Sequence, residues 1–258
     1  MTATEELSKI VCNECDVPAA AYHRYCRNCG AFLNEQATTI NIFNNQNLRF
    51  AFAFYFAYLV ICLLVKHTPY FNTYQQLFWV ELLLAGITTA FAFQNRSSIL
   101  PVVRFNNFKP LLLGLLIILA AVSSIVINFT IRKVNITFFN SEISYYEGYK
   151  MYHHPLALMV YSIALLPSIF EELAFRGVMY NYCKTFLDER LVVAVTAFLF
   201  AIMHLSLLSL VWLLPFAFLL GHLRRRYNTI WYGVAFHFTF NLTACIIDLY
   251  RNNLLPTF

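Results

Sequence analysis

Long apolar runs are the feature that most constrains how this chain can fold. A spanning helix needs about 20 predominantly apolar residues, and several stretches approach that length with few charges. The 258 residues are 60% hydrophobic and 12% charged, whereas soluble domains are about a quarter charged. The expected spans are residues 48–65, 77–93, 111–131, 156–170 with its continuation, 191–208, 210–223 and 230–249. The sequence therefore predicts an all-α polytopic membrane protein, a bundle of about seven transmembrane helices.

Basic residues are scattered between the apolar runs, although the formal net charge is +5. Nucleic-acid binding requires a basic face, so the expected partner is membrane lipid and not nucleic acid. If the N-terminus is cytosolic, most basic residues that border the spans fall on the cytosolic side, as the positive-inside rule requires. These residues are Arg96, Arg104, Lys109, Lys184, Arg190 and the run 224–226, which is expected to anchor a helix end at the anionic leaflet. We expect a multi-pass integral membrane protein with a cytosolic N-terminus, in the plasma membrane if the source is prokaryotic.

Four cysteines near the N-terminus have the spacing of a zinc ribbon. Cys12, Cys15, Cys26 and Cys29 read C-x2-C-x10-C-x2-C, two pairs that can each present two thiolates to one tetrahedral zinc. Gly30, which follows the second pair, suits a turn that needs a positive φ. A segment of about 30 residues cannot build an adequate core, so a structural zinc would supply much of its folding free energy. Disulfides in an exported segment are the alternative.

The predicted domain boundaries follow from these patterns. Residues 1–33 form the zinc ribbon, and residues 34–47, rich in Asn, Gln and Thr, form a linker. The remaining segments are 48–154 with the first transmembrane helices and a loop, 155–250 with a helical core, and a tail at 251–258. The ribbon can be a structural cap or a docking platform for a cytosolic partner, and its few basic residues argue against nucleic acid.

Ionisable side chains inside the last four spans are functional candidates, because a charge in hydrocarbon costs several kcal/mol unless it faces protein or water. The polar candidates there are Glu171, Glu172, Arg176, His204, His237 and Asn241. Helical spacing places Glu172 and Arg176 four residues apart on one face, where they can form an ion pair. His237 and Asn241 have the same spacing. Three helices that turn these faces to a common centre would form a single polar site.

Amide hydrolysis is the chemistry that such a site suits best. A glutamate beside a histidine can deprotonate a water molecule, while imidazole and amide N–H groups can stabilise the oxyanion. This mechanism needs no catalytic cofactor. Glu171, His204 and His237 could instead bind a zinc ion, although the sequence lacks H-E-x-x-H. A helical bundle that is only held together by buried polar pairs is a further alternative.

The polar residues lie in three motifs that resemble those of the CAAX prenyl protease and bacteriocin-processing family of intramembrane glutamic endopeptidases. The family patterns E-E-x-x-x-R, F-x-x-x-H and H-x-x-x-N read here as E-E-L-A-F-R from Glu171, F-A-I-M-H from Phe200 and H-F-T-F-N from His237. The resemblance covers roughly residues 156–249, so the ribbon and the first three spans lie outside the motifs.

This resemblance implies a role for each motif residue. Glu171 and His204 would activate water, and His237 with Asn241 would form the oxyanion hole. The Glu–Arg pair of the first motif would orient the site. Eukaryotic members remove the last three residues of prenylated CAAX proteins, so the implied substrate is a membrane-associated peptide or protein, lipidated or not.

Two non-enzymatic alternatives stay open. A membrane adaptor would bind a partner's transmembrane segment with the polar cluster and a cytosolic protein with the ribbon. A bacteriocin self-immunity protein is one form of this alternative, since prokaryotic relatives are tied to bacteriocin maturation or immunity. A transporter would use the buried groups as relays, but the sequence has no visible inverted repeats or broken helices.

Overall fold

The computed structural model describes residues 9–20, 23–33, 43–105, 108–142 and 144–254. The chain divides into two compact units, Met1–Arg49 and Phe50–Phe258. Most of the predicted linker, residues 34–42, and the end of the predicted tail, residues 255–258, lie outside the described residues.

The N-terminal unit contains two short hairpins. Strand β1, Lys9–Val11, pairs antiparallel with strand β2, Pro18–Ala20. In the second hairpin, Tyr25 and Phe32 form an isolated antiparallel bridge, and their rings meet edge to face with centroids 5.5 Å apart. The buried hydrophobic side chains among the described residues of this unit are Cys12, Ala19 and Cys26. So small a core cannot hold the hairpins together by apolar burial alone.

The rest of the described chain is helical apart from its connections. The helices are α1 Gln46–His67, α2 Tyr74–Gln94, α3 Arg96–Val103, α4 Pro110–Phe139, α5 Tyr146–Tyr149, α6 Pro155–Cys183, α7 Glu189–Met203, α8 Leu207–Tyr227 and α9 Trp231–Arg251. Within the described residues, the six helices α1, α2, α4, α6, α8 and α9 are long and apolar enough to cross a membrane. Leu111, Phe129 and Val211 are exposed on these helices, as expected for surfaces that face lipid. The predicted all-α polytopic membrane fold is confirmed.

Helix α7 is shorter than the predicted span 191–208. It has 15 residues, which at 1.5 Å per residue is about 22 Å, against about 30 Å for the hydrocarbon core. The helix ends at Met203 because Leu205 takes a left-handed φ of 49°, and Ser206 then caps the start of α8. The chain therefore turns directly after His204. The predicted span 191–208 continued past the end of the helix.

Helix α4 is longer than predicted. It has 30 residues and continues to Phe139, well beyond the end of the predicted span 111–131. The helix stops where Asn140 adopts a left-handed φ of 45°. Residues 132–139, which follow the predicted span, are therefore helical and do not belong to the loop expected before the next span.

Helix α6 contains two π-helical segments, Tyr161–Leu165 and Leu173–Met179. Pro167 follows the first segment and has no backbone N–H, so it cannot donate to the carbonyl of Ile163 four residues earlier. The side chain of Asn241 on α9 does so instead, with Nδ2 at 2.8 Å from that oxygen. An unpaired carbonyl within a bilayer would cost several kcal/mol, so this contact stabilises the irregular segment.

Arg224 donates a hydrogen bond to a backbone carbonyl of the second π-helical segment in a similar way. Its Nε donates to the carbonyl of Arg176 at 2.8 Å, and its Nη atoms donate to the side chains of Asn181 and Asn228 at 3.0 and 2.7 Å. Its guanidinium also lies 4.7 Å from the ring centroid of Tyr180. Arg224 is only 3% exposed. The expectation that the whole run 224–226 anchors a helix end in the leaflet is therefore wrong for Arg224, which bonds inside the protein.

Replacing Arg224 with Leu should destabilise the helical unit. The substitution leaves the carbonyl of Arg176 without its donor, and each buried polar group left unpaired costs about 1–3 kcal/mol. We expect the midpoint of thermal unfolding of the detergent-solubilised protein to fall by about 5 °C or more. Arg226→Leu is the matched control, because Arg226 is exposed. Equal shifts in the two variants would contradict the structural role of Arg224.

Candidate functional site

The buried carboxylate of Glu172 connects two helices of the site. Its Oε1 accepts a hydrogen bond from Nη1 of Arg176 at 2.9 Å and another from Nδ1 of His237 at 3.2 Å. The exposed fractions of the three residues are 0%, 2% and 5%, respectively. Burial of a charge is costly, and here the guanidinium and the two hydrogen bonds offset that cost. The ion pair expected from the first motif is formed, and it also holds the histidine of the third motif.

Arg176 extends this centre to two further helices. Its Nη2 donates to the carbonyl of Ala217 on α8 at 3.2 Å. Its guanidinium carbon lies 4.5 Å from the ring centroid of Phe200 on α7. A desolvated cation over an aromatic face gains about 2 kcal/mol. One arginine of α6 thus fixes the position of α7 and α8 around the same carboxylate.

His237 faces both glutamates of the first motif. Glu172 is paired with an arginine and accepts hydrogen bonds only, so Nδ1 of His237 carries the proton of their shared bond. The opposite nitrogen, Nε2, lies 4.0 Å from Oε2 of Glu171. That distance is longer than a direct hydrogen bond. The side chain of Glu171 is 33% exposed, whereas Glu172 is fully buried.

His204 is oriented by the helix on which it stands. Its Nδ1 lies 3.0 Å from the carbonyl oxygen of Phe200, one turn earlier. A carbonyl oxygen only accepts, so Nδ1 carries the proton and Nε2 of the neutral ring keeps a free lone pair. The residue caps the C-terminus of α7 and is exposed there. The F-x-x-x-H spacing thus presents a histidine whose outer nitrogen can act as a base.

Glu171 and His204 line the same cavity, which has a volume of about 160 Å³. Helices α1, α2, α6 and α7 form its walls. Most of the lining side chains are apolar, among them Leu84, Leu166 and Phe170. A water molecule takes up about 30 Å³, so the cavity has room for a few waters or for a side chain of a substrate. An acid and a base therefore share one small, largely apolar space.

Glu81 on α2 also lines this cavity and is not among the residues predicted from the sequence. Its Oε2 is buried and has no hydrogen-bond partner within the part of the chain that the structure describes. Glu81 falls inside the predicted span 77–93, and an ionisable group within a span is itself a signal of function. It was missed because it belongs to none of the three motifs.

Asn241 lies one helical turn after His237 on α9, as its spacing predicted. Its Nδ2 donates to the carbonyl of Ile163, as described above, and the residue is not among those that line the cavity. A carboxamide nitrogen carries two N–H groups, so one of them is left for another acceptor. The structure therefore places Glu171 beside His237 and in one cavity with His204, while Asn241 follows His237 by one helical turn. The oxyanion role of Asn241 stays a prediction.

A second candidate site lies in the N-terminal unit. Four cysteines of the described residues lie close enough together to share one metal ion. They are Cys12, Cys15, Cys26 and Cys29. Their Sγ atoms lie within 4.8 Å of one another, and two of the Sγ pairs are 3.6 Å apart. Zn–S bonds of about 2.3 Å in a tetrahedron give sulfur–sulfur edges of about 3.8 Å. These cysteines could hold a metal ion, whereas the three membrane residues considered as zinc ligands form no such group.

The two cysteine pairs lie in matching turns. The residue after each pair has a positive φ, 54° at Asp16 and 77° at Gly30, and the sequence predicted it at Gly30 alone. In each turn the N–H of that residue donates to the carbonyl of the first cysteine at 2.9 Å. The backbone N–H groups of Cys29 and Asn28 lower the pKa of the Cys26 thiol to about 6. The shift at Cys26 favours the thiolate, which is the form that binds metals, whereas the hydrogen bond with Cys15 and burial raise the pKa of Cys29.

Apolar helices long enough to span a membrane surround a buried cluster of glutamate, arginine and histidine, as expected for an integral membrane protein with a polar site. Residues 153–243 match the family model described as type II CAAX prenyl endopeptidase Rce1-like, which confirms the resemblance for this part of the chain. The match contains all three motifs and leaves out the ribbon and the first helices. Searches of curated proteins and of solved structures found no match.

Gly233 on α9 allows α6 to come close at the buried carboxylate. A Cβ atom at this position would lie 2.5 Å from Oε2 of Glu172 and 3.3 Å from its Cδ. Glu172 cannot move away without losing its hydrogen bonds to Arg176 and His237. We therefore expect Gly233→Ala to displace the carboxylate and to disturb the histidine that it holds.

The expected cost of Gly233→Ala is about 1–3 kcal/mol, the usual range for overpacking a tight interior. It can be measured as a lower midpoint of thermal unfolding in detergent. Gly86→Ala and Gly114→Ala are the controls, because a Cβ atom there meets no atom within 4 Å. Both controls should be neutral or slightly stabilising, since Ala favours helices over Gly. A Gly233→Ala variant as stable as the controls would argue against the close approach.

Proposed function

We propose that this chain is an intramembrane endopeptidase that hydrolyses a peptide bond in a membrane-associated or lipidated peptide or protein. One observation carries the proposal. The Glu172–Arg176 centre holds His237 with Nε2 4.0 Å from Glu171, and Glu171 shares an apolar cavity with His204. Hydrolysis of an amide needs a base, a space for water and donors for the oxyanion, and these side chains can supply all three.

Water activation is assigned to Glu171 and His204. The carboxylate of Glu171 takes a proton from water, and the water oxygen then adds to the carbonyl carbon of the scissile bond. Nε2 of His204 accepts from the same water and orients it. When the C–N bond breaks, the proton held by Glu171 passes to the departing amine nitrogen, so the site returns to its starting protonation. The apolar walls exclude bulk water and strengthen each of these electrostatic interactions.

Stabilisation of the oxyanion is assigned to His237 and Asn241. Nδ1–H of His237 donates to Glu172, so Nε2 is the nitrogen that faces the oxyanion. It donates to the oxyanion when the ring carries its second proton. Asn241 donates with the N–H that Ile163 does not use. Removing one donor from an oxyanion hole typically costs about 3–4 kcal/mol of transition-state stabilisation. Glu172 and Arg176 position the imidazole and take no part in bond making.

Substitution of the proposed base should abolish cleavage of peptides by the purified protein. Glu171→Gln keeps the shape of the side chain but cannot take up a proton, so kcat should fall by a factor of about 10²–10⁴. We expect a similar loss for His204→Ala and a loss of about 10²–10³ for Asn241→Ala. His222→Ala is the control, because His222 is an exposed histidine on α8 and should leave the rate unchanged. Cleavage products can be identified by mass spectrometry.

Two outcomes would overturn this assignment. If the wild-type protein cleaves no peptide while the variants lose a bound partner protein, the chain is a membrane adaptor. If a chelator stops cleavage by a Cys26→Ser variant, in which the ribbon metal is already disrupted, the intramembrane site uses a metal ion.

The cysteine cluster is proposed to hold one structural zinc ion. The sulfur–sulfur distances and the two matching turns support this assignment. Free thiols persist in a reducing compartment, so we also propose that the N-terminus is cytosolic. The ribbon would then recruit a cytosolic partner or control access to the protease. A bound zinc would supply the folding free energy that the small core of this unit lacks.

Elemental analysis of protein purified under reducing conditions should find about one zinc per chain. Cys26→Ser should remove most of that zinc, because three ligands bind it more weakly than four. Cys183→Ser is the control, since Cys183 is a buried cysteine of α6 outside the ribbon. Wild-type protein without zinc, or zinc that is unaffected by Cys26→Ser, would contradict the assignment.

A further inference from the structure

A second carboxylate faces the candidate active cavity and has no partner there. Glu81 lines the same cavity as Glu171 and His204, from the opposite helix α2. Its Oε2 is buried and accepts no hydrogen bond from any residue that the structure describes. The nearby hydroxyl of Tyr58 already donates to the carbonyl of Leu84 at 3.0 Å. Glu81 therefore keeps an unused acceptor inside the cavity.

Two cations of the helical unit have partners outside this cavity. The described residues that line the cavity include no lysine or arginine. Arg176 is bound to Glu172, and Lys66 at the end of α1 donates to a backbone carbonyl in the turn before α8. A carboxylate among apolar side chains is poorly screened by water, so its field attracts a positive charge strongly. The cavity thus favours an occupant that brings its own cation.

We propose that Glu81 binds a cationic group of the peptide substrate, a lysine or arginine side chain or a free amine, next to the bond that is cleaved. The inference rests on the proposed peptidase function. Glu171 and Glu81 belong to different helices, α6 and α2. A peptide between these helices can present its carbonyl to Glu171 while a neighbouring side chain reaches Glu81. A charge-assisted hydrogen bond at this position gives selectivity as well as affinity.

The competing state is a protonated Glu81. A neutral carboxyl group would avoid the cost of burial and would donate one hydrogen bond. In that state the cavity would show no preference for a positive charge. Substitution of Glu81 by Gln separates the two states, because Gln keeps the shape and the hydrogen-bonding capacity but carries no charge.

The test uses pairs of peptides in detergent micelles that differ at one position. One member of each pair carries lysine and the other carries norleucine, and the position is scanned across three residues on either side of the cleaved bond. For wild-type protein, kcat/KM at one scanned position should be at least about tenfold higher for the lysine peptide than for the norleucine peptide. This ratio is smaller than the largest effects of buried charge pairs. Glu81→Gln should reduce that ratio to about one. Glu147→Gln, which changes an exposed glutamate, should keep the full preference.

Binding of the same peptides separates failure of this inference from failure of the proposed function. Fluorescent versions are titrated into Glu171→Gln protein, with and without Glu81→Gln. Equal rates and equal affinities for lysine and norleucine peptides would overturn the role of Glu81 while leaving the peptidase intact. A lysine preference that persists in Glu81→Gln would overturn it as well. If wild-type protein cleaves nothing, a tighter affinity for lysine peptides that depends on Glu81 still supports the cation site, and its absence refutes it.

Discussion

Oε1 of Glu172 accepts hydrogen bonds from Arg176 and from His237, and the rest of the candidate site is arranged around this shared acceptor. The arginine also reaches α8 through the carbonyl of Ala217 and α7 through the ring of Phe200. Four helices therefore meet at one buried ion pair. Lipid chains are as apolar as leucine, so burial of apolar surface does not by itself bring spanning helices together. Polar contacts of this kind decide which helix faces pack against each other.

A buried ion pair is a weak source of stability, because the desolvation of two charges offsets most of their attraction. Apolar side chains of similar volume could fill the same space at a lower cost. They could not, however, fix the tautomer and the orientation of an imidazole. Glu172 makes Nδ1 the protonated nitrogen of His237 and leaves Nε2 on the side of Glu171. We therefore interpret the ion pair as a device that positions the histidine.

Sequence spacing was sufficient for contacts within one helix and for the cysteine cluster. The contact of Glu172 with Arg176 follows from helical geometry, and the distances among the cysteines follow from the requirements of one metal ion. Contacts between helices could not be predicted in this way. Arg224 stands in a run of three arginines, and only the packing of α8 against α6 shows that it is buried. The place of Glu81 opposite Glu171 likewise depends on how α2 packs, which no motif specifies.

Asn241 shows how the backbone of α6 and the proposed chemistry depend on each other. Pro167 leaves the carbonyl of Ile163 without its usual donor, and the side chain of Asn241 takes that place. Breaking this contact would take a donor away from a backbone carbonyl of a membrane helix, which is costly, so the contact holds α9 at a fixed position along α6. The same two helices carry the glutamates and His237. A shift of α9 would therefore break the contact with Ile163 and the bond between Glu172 and His237 together, which keeps the proposed oxyanion donors in register with the proposed base.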